Sequence, residues 1–305
     1  MVQLAARRAL FLLPVLLGIL VAVFVTMRIV PGDPARLVAG PDAGPEELAA
    51  VRKEFGLDRP MPVQFVDYVG SVLRLDFGRS FKTQRPVLDE IRPRLVNTFT
   101  LATLSTLFAT LLGMAGGVAA AAWRHSKFDY LTMLVAMVGV SVPSFYLGIL
   151  LIVTFAVMLQ WLPSGGAGGL AHLVLPAITL GASTLGLVAR MTRASMLEVL
   201  DEDYVRTARA KGVAETLVVT RHALRNALLP IIAVVALQFG FVLAGSVLVE
   251  TVFSFPGIGW LIVESIGMRD FPVVQTSILL VTFLSVVVNL AADILYSYAD
   301  PRITH

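Results

Sequence analysis

Arg206, Arg209, Lys211, Arg221 and Arg225 fall within one polar stretch, DEDYVRTARAKGVAETLVVTRHALRNALLP, from Asp201 to Pro230. Guanidinium and ammonium groups offer N–H donors to carboxylates or to the carbonyl ends of helices. Long apolar runs flank the stretch on both sides. Charge at that density cannot sit in hydrocarbon, so the segment emerges into water. A solvated connecting loop and a docking surface both fit that much.

Other chemistry is thinly represented. The chain has no cysteine, which excludes disulfides, thiolate metal sites and cysteine nucleophiles. His125, His172, His222 and His305 are scattered without metal-ligand spacing, so no metal and no bound cofactor are expected. Phosphate binding would need Gly-x-x-x-x-Gly-Lys-Ser/Thr. The nearest stretch, GRSFKT from Gly78 to Thr83, has Phe81 where the second glycine belongs. No Gly-x-Ser-x-Gly elbow appears, and no carboxylate pair lies within an apolar run. An ion-driven carrier would keep carboxylates at mid-membrane depth. Glu250 and Asp293 instead fall toward span ends, where headgroups are expected to solvate them.

These residues must be held by a membrane body. Hydrophobic residues make up 57% of the 305, charged residues 15%, against about 25% charged in a soluble domain. Mean hydropathy is +0.82. Several runs approach the roughly 20 residues that cross a bilayer as helix. The basic residues of such a chain report topology, and no nucleic-acid partner is read from the pI of 9.4.

The predicted spans are about Ala9–Met27, Asn97–Ala122, Tyr130–Trp161, Leu173–Met196, Ala227–Leu248 and Val273–Tyr296. Asn97 or Thr98 is expected to cap the second, and Gly113, Gly116 and Gly117 to allow close helix approach. The third is long enough to be tilted or broken near Ser141-Val142-Pro143-Ser144. Arg190 and Arg193 are expected to snorkel from the inner end of the fourth. ETVFSFPGIGWLIVESIGMRDFP is too broken to span and reads as an interfacial or re-entrant piece. Short-loop charges put both termini and the Asp201–Pro230 segment in the cytoplasm. The organisation is residues 1–30 with the first span, an extracytoplasmic insertion at 31–95, and a core at 96–305. Within the insertion PEELAAVRKEFGLD reads as a short helix with Pro45 near its start. Ser141, Ser144, Gln238 and Ser246 are polar groups that could line a pathway, or could serve helix packing.

YVRTARAKGVAETLVVTRHALRNALLP resembles the cytoplasmic loop of permease subunits in ATP-binding-cassette importers, in its peptide/nickel-type form. LQFGFVLAGSVLVETVFSFPGIGWLIVESIGMRDFPVVQ, RIVPGDPA and YADPRI match the same family, so the resemblance covers nearly the whole chain. The general importer loop reads Glu-Ala-Ala, three residues, Gly, nine residues, Ile-x-Leu-Pro. Anchored on Gly212, Ala208 and Leu224 agree, whereas Arg206, Thr207, His222 and Arg225 depart as the peptide branch does. Beside the resemblance, Ala208 and Ala210 favour helix and Gly212 permits the turn that ends it. Arg206, Arg209 and Lys211 are expected to surround that turn with donors.

The resemblance implies an all-α, six-helix type I importer permease in a bacterial or archaeal cytoplasmic membrane. It implies an ATPase-docking loop at about 197–226, carried by Tyr204, Arg206, Thr207, Ala208, Arg209, Lys211, Gly212, His222, Leu224 and Arg225. It further implies a second permease subunit, two cytoplasmic ATPases that hydrolyse ATP with Mg, and an extracytoplasmic substrate-binding protein. Dipeptides or oligopeptides are the implied cargo, with nickel chelates, opines and glutathione as alternatives. A stand-alone channel or secondary carrier, and a membrane anchor, are the rival classes.

Overall fold

The computed structural model describes residues 14–26, 34–39, 43–54 and 56–299. Its helices, in chain order, begin with α1 (Pro14–Thr26), α2 (Pro34–Ala39), α3 (Pro45–Glu54) and α4 (Met61–Leu73). Then follow α5 (Val87–Ala122), α6 (Lys127–Ser141) and α7 (Ser144–Leu151), which runs on as π-helix over Ile152–Met158. α8 (Ala171–Leu200) leads to α9 (Asp203–Ala210) and the single turn α10 (Glu215–Leu217). A π-helical stretch, Val218–Ala223, joins α10 to α11 (Leu224–Val252). α12 (Ile258–Met268) and α13 (Phe271–Ala299) are the last helices of the described residues. The described residues hold no strand, only an isolated bridge between Arg79 and Pro86.

Val87–Ala122, Ala171–Leu200, Glu215–Val252 and Phe271–Ala292 are each long and apolar enough to cross a membrane. The predicted break in the third span is present. α6 ends at Ser141, Val142 is extended (ψ 125°), and α7 restarts after Pro143 with a bend of 109°. A residue preceding proline is pushed out of the α region, which ends α6 there. Residues 9–13 and Met27 of the predicted first span lie outside the described residues, as do residues 28–33 of RIVPGDPA and the tail from Asp300.

The chain divides into two compact units, one of residues 1–97 with 257–284 and one of 98–256 with 285–305. In the first, Val87 and Ile91 bury against Ile258, Leu261 and Val273. This explains a correction to the second span. α5 begins at Val87 rather than near Asn97, carrying Pro93 inside the helix, and neither Asn97 nor Thr98 caps it. Apolar contact outweighs the hydrogen bond that Pro93 cannot donate. Arg94 lies over the Trp260 ring, 4.9 Å from its centre.

The Gly78–Thr83 stretch is a turn folded onto Asp270. The Ser80 hydroxyl and the Phe81 N–H (3.0 Å) donate to that carboxylate, and Lys82 N–H approaches it at 3.4 Å. Ser80 Oγ in turn accepts from the Thr83 N–H at 2.9 Å. Asp270 and Ser80 are buried. A buried carboxylate must be satisfied in this way or pay its desolvation.

In the second unit α8 is central, packing against α6, α7 and α11. Glycines let backbones meet. A β-carbon at Gly117 of α5 would lie 2.6 Å from the Ala189 carbonyl oxygen, and one at Gly186 would lie 2.3 Å from that of Ala136 on α6. Leu101, Leu175, Val249 and Phe253 centre one core cluster; Met196, Val205, Val218 and Ile231 centre another.

Glu250 corrects a second expectation. It is fully buried on α11, and Thr98 of α5 donates to its Oε1 at 2.6 Å. α11 continues past it to Val252 and the chain folds back, with Phe255 N–H donating to the Glu250 carbonyl at 2.8 Å. Headgroups therefore do not solvate this side chain. The side chain of Asp293 lies outside the described residues.

Candidate functional site

α9 owes its position to one residue. Val205 is the buried side chain of this otherwise polar helix, and it packs with Leu200, Met196, Val218 and Val219. Burying a valine contributes about 1.5–3 kcal/mol, enough to seat a two-turn helix that would not form alone. Glu202 supplies the extended residue before it, and the Thr207 hydroxyl donates back to the Asp203 carbonyl at 2.9 Å.

The helix stops at Ala210. Gly212 takes φ 77°, its N–H donating to the Arg209 carbonyl at 2.9 Å and the Val213 N–H to that of Ala208 at 3.2 Å. This is the left-handed ending that glycine adopts without steric cost. A β-carbon there would meet nothing within 4 Å, so backbone conformation alone demands the glycine.

The cations do not all face outward as expected. Arg209 grips Glu215 through Nη2–Oε1 (2.7 Å) and Nε–Oε2 (3.1 Å), tying α9 to α10. Arg206 Nη1 reaches Asp203 Oδ1 at 3.3 Å on its own helix. Both pairs are solvent-exposed and individually worth little. The Arg209 guanidinium holds the Glu215 carboxyl below the usual carboxylate range, and that carboxylate raises Arg209 in return. Lys211, Arg221 and Arg225 are exposed.

Tyr204 sits where α9 meets the π-helical stretch. Its hydroxyl accepts from Asn226 Nδ2 at 2.6 Å and donates to the His222 carbonyl at 3.4 Å. Ala208 packs at the edge of the apolar cluster, as does Leu224. Tyr204, Ala208, Gly212, His222 and Leu224 thus belong to one folded unit, with Thr207 and Arg206 on its exposed side.

Arg193 provides the buttress beneath. It does not snorkel; its Nε and Nη2 meet Asp129 Oδ1 and Oδ2 at 2.6 and 2.7 Å. Asp129 is buried and also accepts from the His125 N–H at 3.0 Å, while Ser126 caps α6. The fork geometry joins α8 to the start of α6. Arg190 is exposed.

The pathway candidates are dispersed. Ser141 and Ser144 flank the break between α6 and α7, Ser141 exposed and Ser144 half-buried. Gln238 is half-buried on α11. Ser246 is fully buried with its hydroxyl donating to Leu243, so it faces protein. Sequence reasoning missed Asp129, Glu215, Asn226 and Glu250. Asp129 carried a faint signal, three residues after a capping serine. No group of His, Asp or Glu able to hold a metal occurs among the described residues.

Residues 113–305 match the family described as binding-protein-dependent transport system inner membrane component, and residues 1–102 match the N-terminal family of such components. The chain is 48% identical over 305 residues, all of both chains, to the glutathione transport system permease protein GsiC of Salmonella typhimurium. It is 47% identical, again over all of both chains, to that of Escherichia coli K12. Among solved structures, the MetNI methionine transporter in an inward-facing conformation aligns with TM-score 0.60 at 18% identity. That alignment covers 71% of this chain and 99% of the other. An amino acid transporter structure aligns with TM-score 0.52 at 17% identity, over 70% and 94% of the two chains.

Proposed function

The chain belongs to the binding-protein-dependent transport system inner membrane components, and on that premise we propose that Asp201–Pro230 is its ATPase-docking joint. The chain is a multi-pass permease subunit of a bacterial ATP-binding-cassette importer, and such an importer works with an ATPase and a substrate-binding protein. It is a membrane permease rather than a catalytic enzyme.

In our reading Tyr204, Arg206, Thr207, Ala208, Arg209, Lys211, Gly212, His222, Leu224 and Arg225 form the docking surface. The observation that carries it is the seating of α9 on the cluster that continues α8 and α11. A displacement of the loop then moves helices that cross the membrane. Two ATPases binding Mg and ATP close on each other, draw this loop and that of a second permease together, and turn the pathway outward. The chain lacks a nucleotide-binding motif, and its Gly78–Thr83 stretch is occupied by Asp270, which supports energy entering from a partner. Six spans with both termini in the cytoplasm, and an extracytoplasmic insertion, complete the topology.

The cargo we propose is glutathione or a short peptide of that size and charge. Full-length identity of 48% to a glutathione permease supports this. Ser141, Ser144 and Gln238 are its pathway candidates. The test is to isolate the cognate binding protein and measure which solutes it retains and the assembled importer accumulates. Retention of glutathione with ATP-dependent uptake is expected. Uptake by this chain alone, without ATPase subunits, would overturn the reading.

A further inference from the structure

A second site lies on an exposed side of α5, in the unit that carries the Asp201–Pro230 segment. Leu111, Met114, Val118, Trp123 and Leu224 line a groove of about 420 Å³. Ala115 and Ala122 keep it open, since an alanine leaves the space a larger side chain would fill. No ionisable or hydrogen-bonding side chain other than the Trp123 indole lines it. From Leu111 to Trp123 it runs roughly 18 Å along the helix, close to the ~15 Å of hydrocarbon in one leaflet.

The mouth differs from the wall. Trp123 is 62% exposed and meets Phe128 edge-on at 5.7 Å, an aromatic pair of the kind that marks the membrane interface. Arg124 and Lys127 lie on the same short turn, both exposed. Arg221 and Arg225 flank Leu224 in the chain and are exposed as well. Asp129 is spent on Arg193, and Asp201 lies 3.7 Å from Arg124 in an open, water-screened pair. The mouth therefore keeps a positive excess above an apolar slot.

We infer that this groove binds an anionic phospholipid of the cytoplasmic leaflet, one acyl chain along α5 and the phosphate beside Arg124 and Lys127. Basic pockets at the cytoplasmic ends of membrane helices take anionic headgroups in this way. A protein helix is a poorer occupant, because the wall covers one leaflet only and Arg124 and Lys127 follow at its end. The inference rests on the proposed orientation, with the docking loop at the cytoplasmic face. Its consequence is that an anionic lipid sits beside Leu224, within the docking joint.

The test uses the assembled importer in native mass spectrometry, with phosphatidylglycerol or phosphatidylcholine added. Retained phosphatidylglycerol in preference to phosphatidylcholine is expected. The pair Arg124→Gln and Lys127→Gln should weaken it about fivefold for each cation removed. Ala115→Phe should block it by filling the slot, with Ala115→Leu as a milder variant should the first not assemble. Equal retention of both lipids, or retention unchanged in both sets of variants, would overturn the inference. So would Ala115→Phe releasing a second permease without altering lipid retention, which would make the groove a subunit contact. Wrong orientation has a separate signature: Ala210→Cys, at an exposed helical position of the same segment, would then label from outside the cell, whatever the lipid result.

Discussion

Asp201–Pro230 and Gly78–Thr83 are both polar segments set among apolar helices, yet they dispose of their polarity in opposite ways. The turn aims Ser80, Phe81 and Lys82 donors inward at the buried Asp270 and is finished within the chain. The loop buries one apolar anchor, Val205, and keeps Arg206, Lys211, Arg221 and Arg225 on its surface. The difference separates a latch from the contact surface proposed above. A latch consumes its donors, and a contact surface needs an apolar foot so that its donors can stay free.

Removing the support of either segment should show which is which. Arg193→Ala should have the largest effect, since it takes the counter-charge from buried Asp129 and leaves it only the His125 N–H. A loss of about 3–5 kcal/mol is expected in thermal unfolding of the purified protein, and Arg193→Lys should recover only part of it. Next comes Asp270→Ala, which leaves the Ser80 and Phe81 donors unmet at about 1–3 kcal/mol. It should leave ATPase coupling intact if the turn is only a latch; lost coupling with unchanged unfolding would erase the distinction.

Gly212→Val places a branched residue at φ 77° and should cost about 1–2 kcal/mol of local stability. Its uptake should fall more than its fold, with ATP hydrolysis no longer matched to transport. Normal uptake would remove the loop from its central role. The smallest effect belongs to Arg209→Ala, within about 1 kcal/mol because both partners are exposed. Because Glu215 titrates below the ordinary range when folded, the pair's contribution is present above that range and fades only as pH falls through the lowered value. Coupling should therefore be flat in this respect from about pH 6 to 8, and a step there in wild type but not in Glu215→Gln would contradict the pairing.

The sequence made the fold legible where a local rule acts. Pro143 announced the break after Ser141, Gly212 the end of α9, and Gly113 and Gly117 the close approach of α5 to α8. It was silent where partners are far apart in the chain. Thr98 and Glu250 are separated by 152 positions, and Arg193 and Asp129 by 64. Glu250 read as a helix-end charge because the turn that buries it comes after the apolar run. The early start of α5 was hidden for a related reason. Asp89, Glu90, Arg92, Pro93 and Arg94 look like a loop until Val87 and Ile91 find α12. In the loop, donors were legible by type, but Glu215 had first claim on Arg209.

The glycine contacts of α8 have a mechanical consequence. Where Gly117 and Gly186 bring backbone against backbone, the nearest side chains are Thr192 and Val140, β-branched groups with little freedom to rotate. Such a joint has little play. Leu200 at the end of α8 is immediately followed by the segment proposed to dock the ATPase, so a tug there would reach the Ala136–Gly186 crossing with little absorbed in rotamer changes. The helix serves as a push-rod whose bearings are made of main chain.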